Sequence, residues 1–482
     1  MILRPSLLSA GGLALALALA GACTAVRPPL PAPPEPPSTW TALTFETAPV
    51  PEDWIVSLGS AELARLVTEA TDRNHDLGAA AARIEQAVAL ARIAGADRQP
   101  QISAGLNGRR QRSAFFGLPL PGSRQGVFAV HTTTWGASLD VSWEADLWGR
   151  LRAAHQATLA DHQAARALFE GARLSLAAQT AKAWLAVVAG REQLDLARRI
   201  QRTHQQSLEA AERRYRAGRI TISQVRVRRS ALAAADATVA AAERQVDAAR
   251  RQLEVLTGRY PAGSLAPTEA LPEVPGPVPA GLPAEILSRR PDLRAAEWQL
   301  EAADARLRQA HRARYPRLNL TASGGSASPD LGHLLDSDFK VWSLATGVLA
   351  PLFQGGRLAA GEDLAFARAR EAAEAFAQAL LRAFAEVETL LAAEPRLRAE
   401  ESQAEVILRQ AQADARLAER RYREGLTALP DLLDARQQVF TARSRWIGAR
   451  QARLTHRIDL HLALGGGFLR PATDDPTEVS SR

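Results

Sequence analysis

Cysteine is almost absent from this 482-residue chain: Cys23 stands alone, so no intramolecular disulfide can form. Lysine is nearly as scarce, at positions 182 and 340 only, and neither follows a glycine. That removes a Walker A loop, and nucleotide-driven chemistry with it. There is no H-E-x-x-H, no C-x-x-C and no G-x-S-x-G, so zinc-protease, thiol-redox and serine-hydrolase readings have no motif to stand on. His155 and His162 fall seven apart on one predicted helix face, but two histidines without further ligands make an incomplete metal site. No enzyme activity, cofactor or metal is expected. Beyond residue 38 no apolar run reaches the ~18 residues of a membrane helix. Any crossing of a membrane must therefore use strands.

Ala, Leu, Arg, Glu and Gln dominate what is present, a long-helix composition. The net charge is +7, but arginines are interleaved with Glu and Asp as on a solvated face, so nucleic acid is not an expected partner. Arg4 precedes an apolar run from Leu7 to Ala20, followed by Gly21-Ala22-Cys23. This reads as a signal peptide over residues 1–22. Cys23 sits as in a bacterial lipoprotein box, where it becomes the lipidated first residue, although Ala20 stands where that box usually has Leu. A plain secretory signal with an incidental cysteine is the alternative. Thr24, rather than Asp, fits sorting to the outer membrane. One lipid anchor holds weakly, so a second membrane contact is expected. Residues 27–37 (RPPLPAPPEPP) read as an extended tether within a 23–60 N-terminal segment.

The heptapeptide Glu212-Arg213-Arg214-Tyr215-Arg216-Ala217-Gly218 returns 207 residues later as Glu419-Arg420-Arg421-Tyr422-Arg423-Glu424-Gly425. Each copy ends in Gly, the residue that best accepts the left-handed turn closing a helix. The repetition extends outward. Asn74-His75-Asp76-Leu77 corresponds to Arg290-Pro291-Asp292-Leu293, and Asp146-Leu147-Trp148-Gly149-Arg150 to Pro351-Leu352-Phe353-Gln354-Gly355-Gly356-Arg357. The chain therefore divides into repeat 1 (61–258), a Pro/Gly-rich linker (259–283), repeat 2 (284–466) and a tail (467–482). Each repeat reads helix, strand, strand, very long helix, tip, helix. The long helices, 150–217 and 357–424, would each run roughly 100 Å and need lateral partners. Pro395 is expected to interrupt the second, with Gly190 near the matching level of the first.

Strands are expected over about 100–112, 130–147, 316–328 and 339–353. Between Thr133 and Leu147, Trp135, Leu139, Val141 and Trp143 alternate with Ser138, Asp140, Ser142, Glu144 and Asp146. The last strand alternates only weakly. Residues 108–130, with Arg109, Arg110, Arg112, Phe115 and Phe116, are expected to form an exposed loop. A half-buried soluble sheet shows the same alternation as a barrel wall. The signal-like N-terminus favours the barrel. Four strands cannot close, so a dimer of eight or a trimer of twelve strands is required.

On these repeated segments, together with Leu282-Pro283-Ala284-Glu285-Ile286-Leu287-Ser288-Arg289-Arg290-Pro291-Asp292-Leu293, the chain resembles the TolC-like outer-membrane efflux channels, closest to their lipidated OprM/NodT-type branch. The resemblance implies a mainly α fold with a membrane β-barrel portion. Three chains would form a 12-stranded barrel continuous with a periplasmic α-helical barrel. It implies a passive exit duct for small molecules, in partnership with outer-membrane lipid, a periplasmic adaptor (membrane fusion protein) and an inner-membrane pump of RND or other type. The same duct serving type I protein secretion is the alternative, and a tethered periplasmic scaffold is a third reading that leaves the strands without a use.

The resemblance also assigns residues. Tyr215, Gly218, Tyr422 and Gly425 mark the tips that meet the adaptor. Asp431 and Asp434 mark the aperture, where three-residue spacing puts both on one helix face; the other reading of Asp431 is a first-turn acid favoured by the helix dipole. The matching positions in repeat 1 are Gln224 and Val227, and Thr427 stands where the best-known gate of the family has a basic residue, so a closing network here must differ. Asp140, Glu144 and Asp146 are expected to face the barrel lumen, and Cys23 to carry the lipid.

Overall fold

The computed structural model describes residues 28–42, 53–116, 127–276 and 278–467; Cys23 and the signal-like segment lie outside them. Two short helices, α1 (Trp54–Ser57) and α2 (Ala61–Arg73), come first, the second opening repeat 1. The repeat continues with α3 (His75–Ala96), β1 (Gln101–Phe116), β2 (Val127–Ala145), α4 (Arg150–Arg216) and α5 (Ile222–Leu256). After the linker and the single turn α6 (Ile286–Arg289), repeat 2 follows as α7 (Pro291–Arg312), β3 (Arg317–Ser328), β4 (Lys340–Leu349), α8 (Arg357–Arg423) and α9 (Leu429–Ala463). The two copies agree to the residue in their helices. α3 and α7 have 22 residues each, α4 and α8 have 67, and α5 and α9 have 35.

Glycine sets these lengths. Gly218, Gly258, Gly425 and Gly465 follow the four long helices with φ between 67° and 75°. After each, the next N–H bonds back five residues: Arg219 N to Arg214 O, Arg259 N to Glu254 O, Leu426 N to Arg421 O and Gly466 N to His461 O, all 2.8–2.9 Å. This is the Schellman closure, which spends the carbonyls a helix end leaves open. At Gly258 a Cβ would lie 2.6 Å from the carbonyl oxygen of Arg73, so the stop also fixes how α5 meets α2.

The four strands form one antiparallel sheet in the order β1-β2-β3-β4. The middle pairing joins the repeats, with Asp140 opposite Ser323. The register sorts side chains into rows across the sheet. Ile102, Val141, Ala322 and Leu344 make one apolar row, and Ser103, Asp140, Ser323 and Ser343 the polar row beside it. β4, whose own alternation is faint, is placed by its pairing with β3. Part of the segment expected as a loop is strand instead: Arg109, Arg110 and Arg112 pair with Thr134, Thr133 and His131. Residues 117–126 lie outside the described set.

The core sits at mid-height along the rods. Trp184 and Leu185 of α4 are fully buried with Trp54, Leu63, Leu253, Leu454 and Ile458. A second cluster gathers Leu380, Val387 and Leu391 of α8 with Ile286, Leu293, Leu460 and Trp40. The linker wraps this level. Glu254, buried at the end of α5, accepts the N–H groups of Gly263, Ser264 and Leu265 at 2.6–2.9 Å. Burial works against its charge, but those N–H groups and the Ser264 hydroxyl prevail and hold the carboxyl below its usual range.

Pro395 does not interrupt α8, which is helical from Arg357 to Arg423. A proline forfeits one backbone bond and crowds the preceding turn. Here Arg453 of α9 bridges both sides of it, to Glu394 at 3.3 Å and Glu401 at 2.8 Å. These side chains are only 11–14% exposed, so the double ion pair acts with little solvent screening. Gly190 likewise stays helical, and lets α5 approach: a Cβ there would be 3.1 Å from Val246 Cγ2.

His461 stacks on Trp54 at 5.9 Å, 1% exposed, with both ring nitrogens lacking a partner among the described residues. Burial, reinforced by the Arg457 charge, pushes its pKa down to about 3. The unfolded chain, with an ordinary histidine near 6.5, binds that proton more readily. The stabilisation is therefore complete above about pH 6.5 and is lost as pH falls towards 3. We expect His461→Phe to flatten the acid limb of the thermal-unfolding midpoint over that window. An acid limb identical to wild type would mean that other groups govern it.

Candidate functional site

Three features present chemistry to the surroundings: the two hairpin tips, the carboxylates after the second tip, and the polar face of the sheet. At the first tip α4 closes on Gly218, whose N–H reaches Tyr215 O at 2.8 Å, and α5 starts after Thr221. Tyr215 is 44% exposed, while Leu208, Ala211 and Val225 form a small core just behind it. The second tip repeats this geometry, with Gly425 N donating to Tyr422 O at 3.1 Å and Tyr422 half-buried. The Tyr-x-x-Gly residues of both tips thus sit at the far ends of the rods, about 100 Å of helix from the sheet.

Asp431 and Asp434 occupy the first turns of α9, and both are exposed. Asp431 Oδ2 accepts the N–H of Ala428, the first-turn capping contact. No hydrogen bond or ion pair holds Asp434 among the described residues. Leu432 between them is buried and fixes the helix face on which the pair lies. The Thr427 hydroxyl is buried without a partner among the described residues. Glu419 faces Arg436 at 3.7 Å and Arg423 at 4.0 Å, so the second tip is internally compensated.

On the sheet, Asp140 accepts a hydrogen bond from Ser323 Oγ (2.6 Å), which ties β2 to β3 on the polar face, and another from Ser138 Oγ (2.8 Å) on its own strand. Glu144, on the same face, pairs with Arg150 at 2.9 Å, locking the strand's end to the first residue of α4. Asp146 lies past the end of β2. Its two oxygens accept the N–H groups of Leu151 (3.1 Å) and Arg152 (2.7 Å), so it caps the 67-residue helix across Gly149, which holds φ at 78°. The usual cap signal does not mark it, because a capping side chain ordinarily stands two or three residues before the amide it accepts.

Histidines offer nothing further. His155 Nδ1 lies 3.3 Å from Arg98 Nη1, and a guanidinium has no lone pair to give, so the ring nitrogen accepts and is occupied. No cluster of three or more His, Cys, Asp or Glu able to hold a metal occurs among the described residues. No helix among the described residues is long and apolar enough to cross a membrane.

Comparison with known proteins agrees on one family. The family described as outer membrane efflux protein matches residues 66–259 and 282–466. The pyoverdine export outer membrane protein OpmQ of Pseudomonas putida is 33% identical over 448 residues, covering 92% of this chain and 93% of the relative. The probable efflux pump outer membrane protein TtgC of Pseudomonas putida is 32% identical, covering 90% and 89%. Among solved structures, the open state of the Neisseria gonorrhoeae MtrE outer membrane channel superimposes with a TM-score of 0.79 at 28% identity, covering 92% of this chain and 98% of that one.

The Asp146 cap generates a test. Asp146→Ala leaves two N–H groups of α4 unpaired and should cost about 0.5–2 kcal/mol. Hydrogen exchange at Leu151 and Arg152 should accelerate, with Asp146→Asn intermediate. Unchanged exchange at both amides would show that the cap is dispensable.

Proposed function

We infer the working of this chain from its membership: it belongs to the outer membrane efflux protein family, and it is an outer-membrane exit duct through which an efflux pump discharges. The observation that carries the mechanism is the open four-stranded sheet joined through short connections to two 67-residue helices. β1 and β4 each have one edge that no described strand covers. In hydrocarbon every backbone group must be paired, so the sheet has to be completed by other copies. Three copies supply twelve strands, and the same three-fold arrangement lines up the helices as a hollow periplasmic cylinder. The apolar row containing Ile102, Val141 and Leu344 then faces lipid, and the polar row faces the lumen. Asp140, Glu144 and Asp146 stand at the helical end of β2, where the lumen passes from barrel to cylinder.

Conduction is passive. Energy comes from an inner-membrane pump, of RND or another type, joined through a periplasmic adaptor that meets the Tyr215–Gly218 and Tyr422–Gly425 tips. Small molecules are the cargo, as the efflux and pyoverdine-export names of the relatives suggest. Asp431 and Asp434 from three chains would bring six carboxylates together near the axis, a cation-selective constriction. Cys23 carries the lipid. Sixteen residues lie between it and Trp40, whose indole N–H bonds Gly281 O and whose neighbours Thr41 and Ala42 are clamped by Glu388 of α8. An extended tether of that length reaches about 50 Å. Glu388 lies roughly 45 Å of helix below the start of α8, so the anchor and the barrel can share one membrane.

Two measurements follow. Asp431→Ala with Asp434→Ala should raise single-channel conductance in planar bilayers or weaken cation preference, and a channel unchanged in both would remove these residues from the aperture. Labelled palmitate should enter the wild-type chain and not Cys23→Ser; equal labelling would place the lipid elsewhere.

A further inference from the structure

The two tips share a heptapeptide but not a charge. From Glu212 to Arg229 there are seven arginines against one carboxylate, Glu212. From Glu419 to Arg436, the same window 207 residues on, there are four arginines against four carboxylates. The first tip thus holds all but one unit of the chain's net charge of +7. Arginine in the last turn of a helix is favoured by the dipole, which accounts for Arg213, Arg214 and Arg216 and equally for Arg420, Arg421 and Arg423. It does not account for Arg219, Arg226 and Arg228, which lie beyond that turn. Their counterparts are Leu426, Leu433 and Ala435.

Nor does the fold compensate the excess. Six of the seven, Arg213, Arg214, Arg216, Arg219, Arg226 and Arg229, are exposed. Among the described residues only Arg229 has a carboxylate within ion-pair distance, Glu212 at 3.1 Å. At the second tip Glu419 sits between Arg423 and Arg436. Like charges crowded on one turn repel within a screening length of about 8 Å, and a guanidinium fork pairs best with a carboxylate.

We propose that the first tip is a docking surface for an acidic protein segment, a helical face bearing Asp or Glu, and that the second tip is not. This rests on the reading that the tips form the periplasmic mouth, and it narrows that reading: the partner would meet chemically distinct sites in alternation around the rim. The outer membrane is out of reach, since about 100 Å of α4 separates this tip from the sheet.

The test uses the full-length channel in detergent and a fluorescent helical peptide with glutamates along one face. A glutamine-for-glutamate peptide serves as control. We expect R213Q/R214Q/R216Q to weaken binding of the acidic peptide at least about tenfold, and R420Q/R421Q/R423Q, the same change at the second tip, to weaken it less than about twofold. R219Q/R226Q, outside the shared motif, should weaken it about threefold, and raising the salt to about 0.3 M should weaken wild type as well. Equal losses at the two tips, no loss at either, or equal binding of the glutamine peptide would overturn the proposal. So would tip-dependent capture of phosphatidylglycerol vesicles without capture of the acidic peptide, which would point to a membrane surface. Single-channel conductance of the same preparations separates the two levels of the argument. A conducting channel whose tips ignore the acidic peptide overturns the docking chemistry and leaves the duct standing, whereas a preparation that never conducts counts against the duct itself.

Discussion

Unpaired backbone at a strand edge is the constraint on which the rest of this molecule turns. Water satisfies such an edge at little cost, but hydrocarbon does not, and each orphaned group there costs several kcal/mol. A sheet of four strands with an apolar row on one face and a polar row on the other therefore has a defined destination and an incomplete form. Supplying the missing strands from identical chains brings identical helices with them. The helical cylinder is in this sense a consequence of closing the sheet, since each strand pair is joined at one end to a rod.

The rods in turn need a place where they are held together, and mid-height provides it. Helix-on-helix packing through small residues holds the outer stretches, but the large buried side chains, Trp184, Trp54, Leu391 and Leu460, collect in one belt. Segments that belong to neither rod are drawn into that belt: the residues around Trp40, the short helices α1 and α2, and the linker pinned by Glu254. Ion pairs reinforce it, including Lys182 with Asp459 and Arg453 with Glu394 and Glu401. Above and below, the rods carry fewer buried large residues.

Much of this was legible in the sequence, because duplication and glycine stops are local signals. The repeated ERRYR-x-G motif and its offset of 207 located two hairpins, and the two-residue alternation around Trp135 to Trp143 identified β2 and its faces. What escaped depends on partners distant in sequence. Pro395 reads as a break until Arg453, on another helix, is seen to bridge Glu394 and Glu401. β4 looks ambiguous until β3 assigns its faces. The arginines at 109, 110 and 112 resemble a loop because a long hairpin beyond the core has no burial to enforce a pattern. Asp146 continues the alternation of β2 by coincidence of spacing while serving the helix that follows. At the tips the residue identities were plain, and their charges could have been summed from the letters alone.

The equality of the two rods has a consequence for how such a chain can change over time. α4 and α8 are both 67 residues long, and α5 and α9 are both 35. Removing one helical turn from a single rod would raise its tip about 5 Å above its neighbour and slide every residue below the cut one turn out of register with its packing partners. A rim made of alternating tips would become uneven, and the return helix would fall out of step with the outgoing one. Length is thus a shared property of four helices, and an insertion is tolerable only when matched in all of them. Single substitutions carry no such penalty. The two halves have accordingly been free to diverge in charge at Gln224 and Asp431, or at Arg219 and Leu426, while remaining identical in dimension.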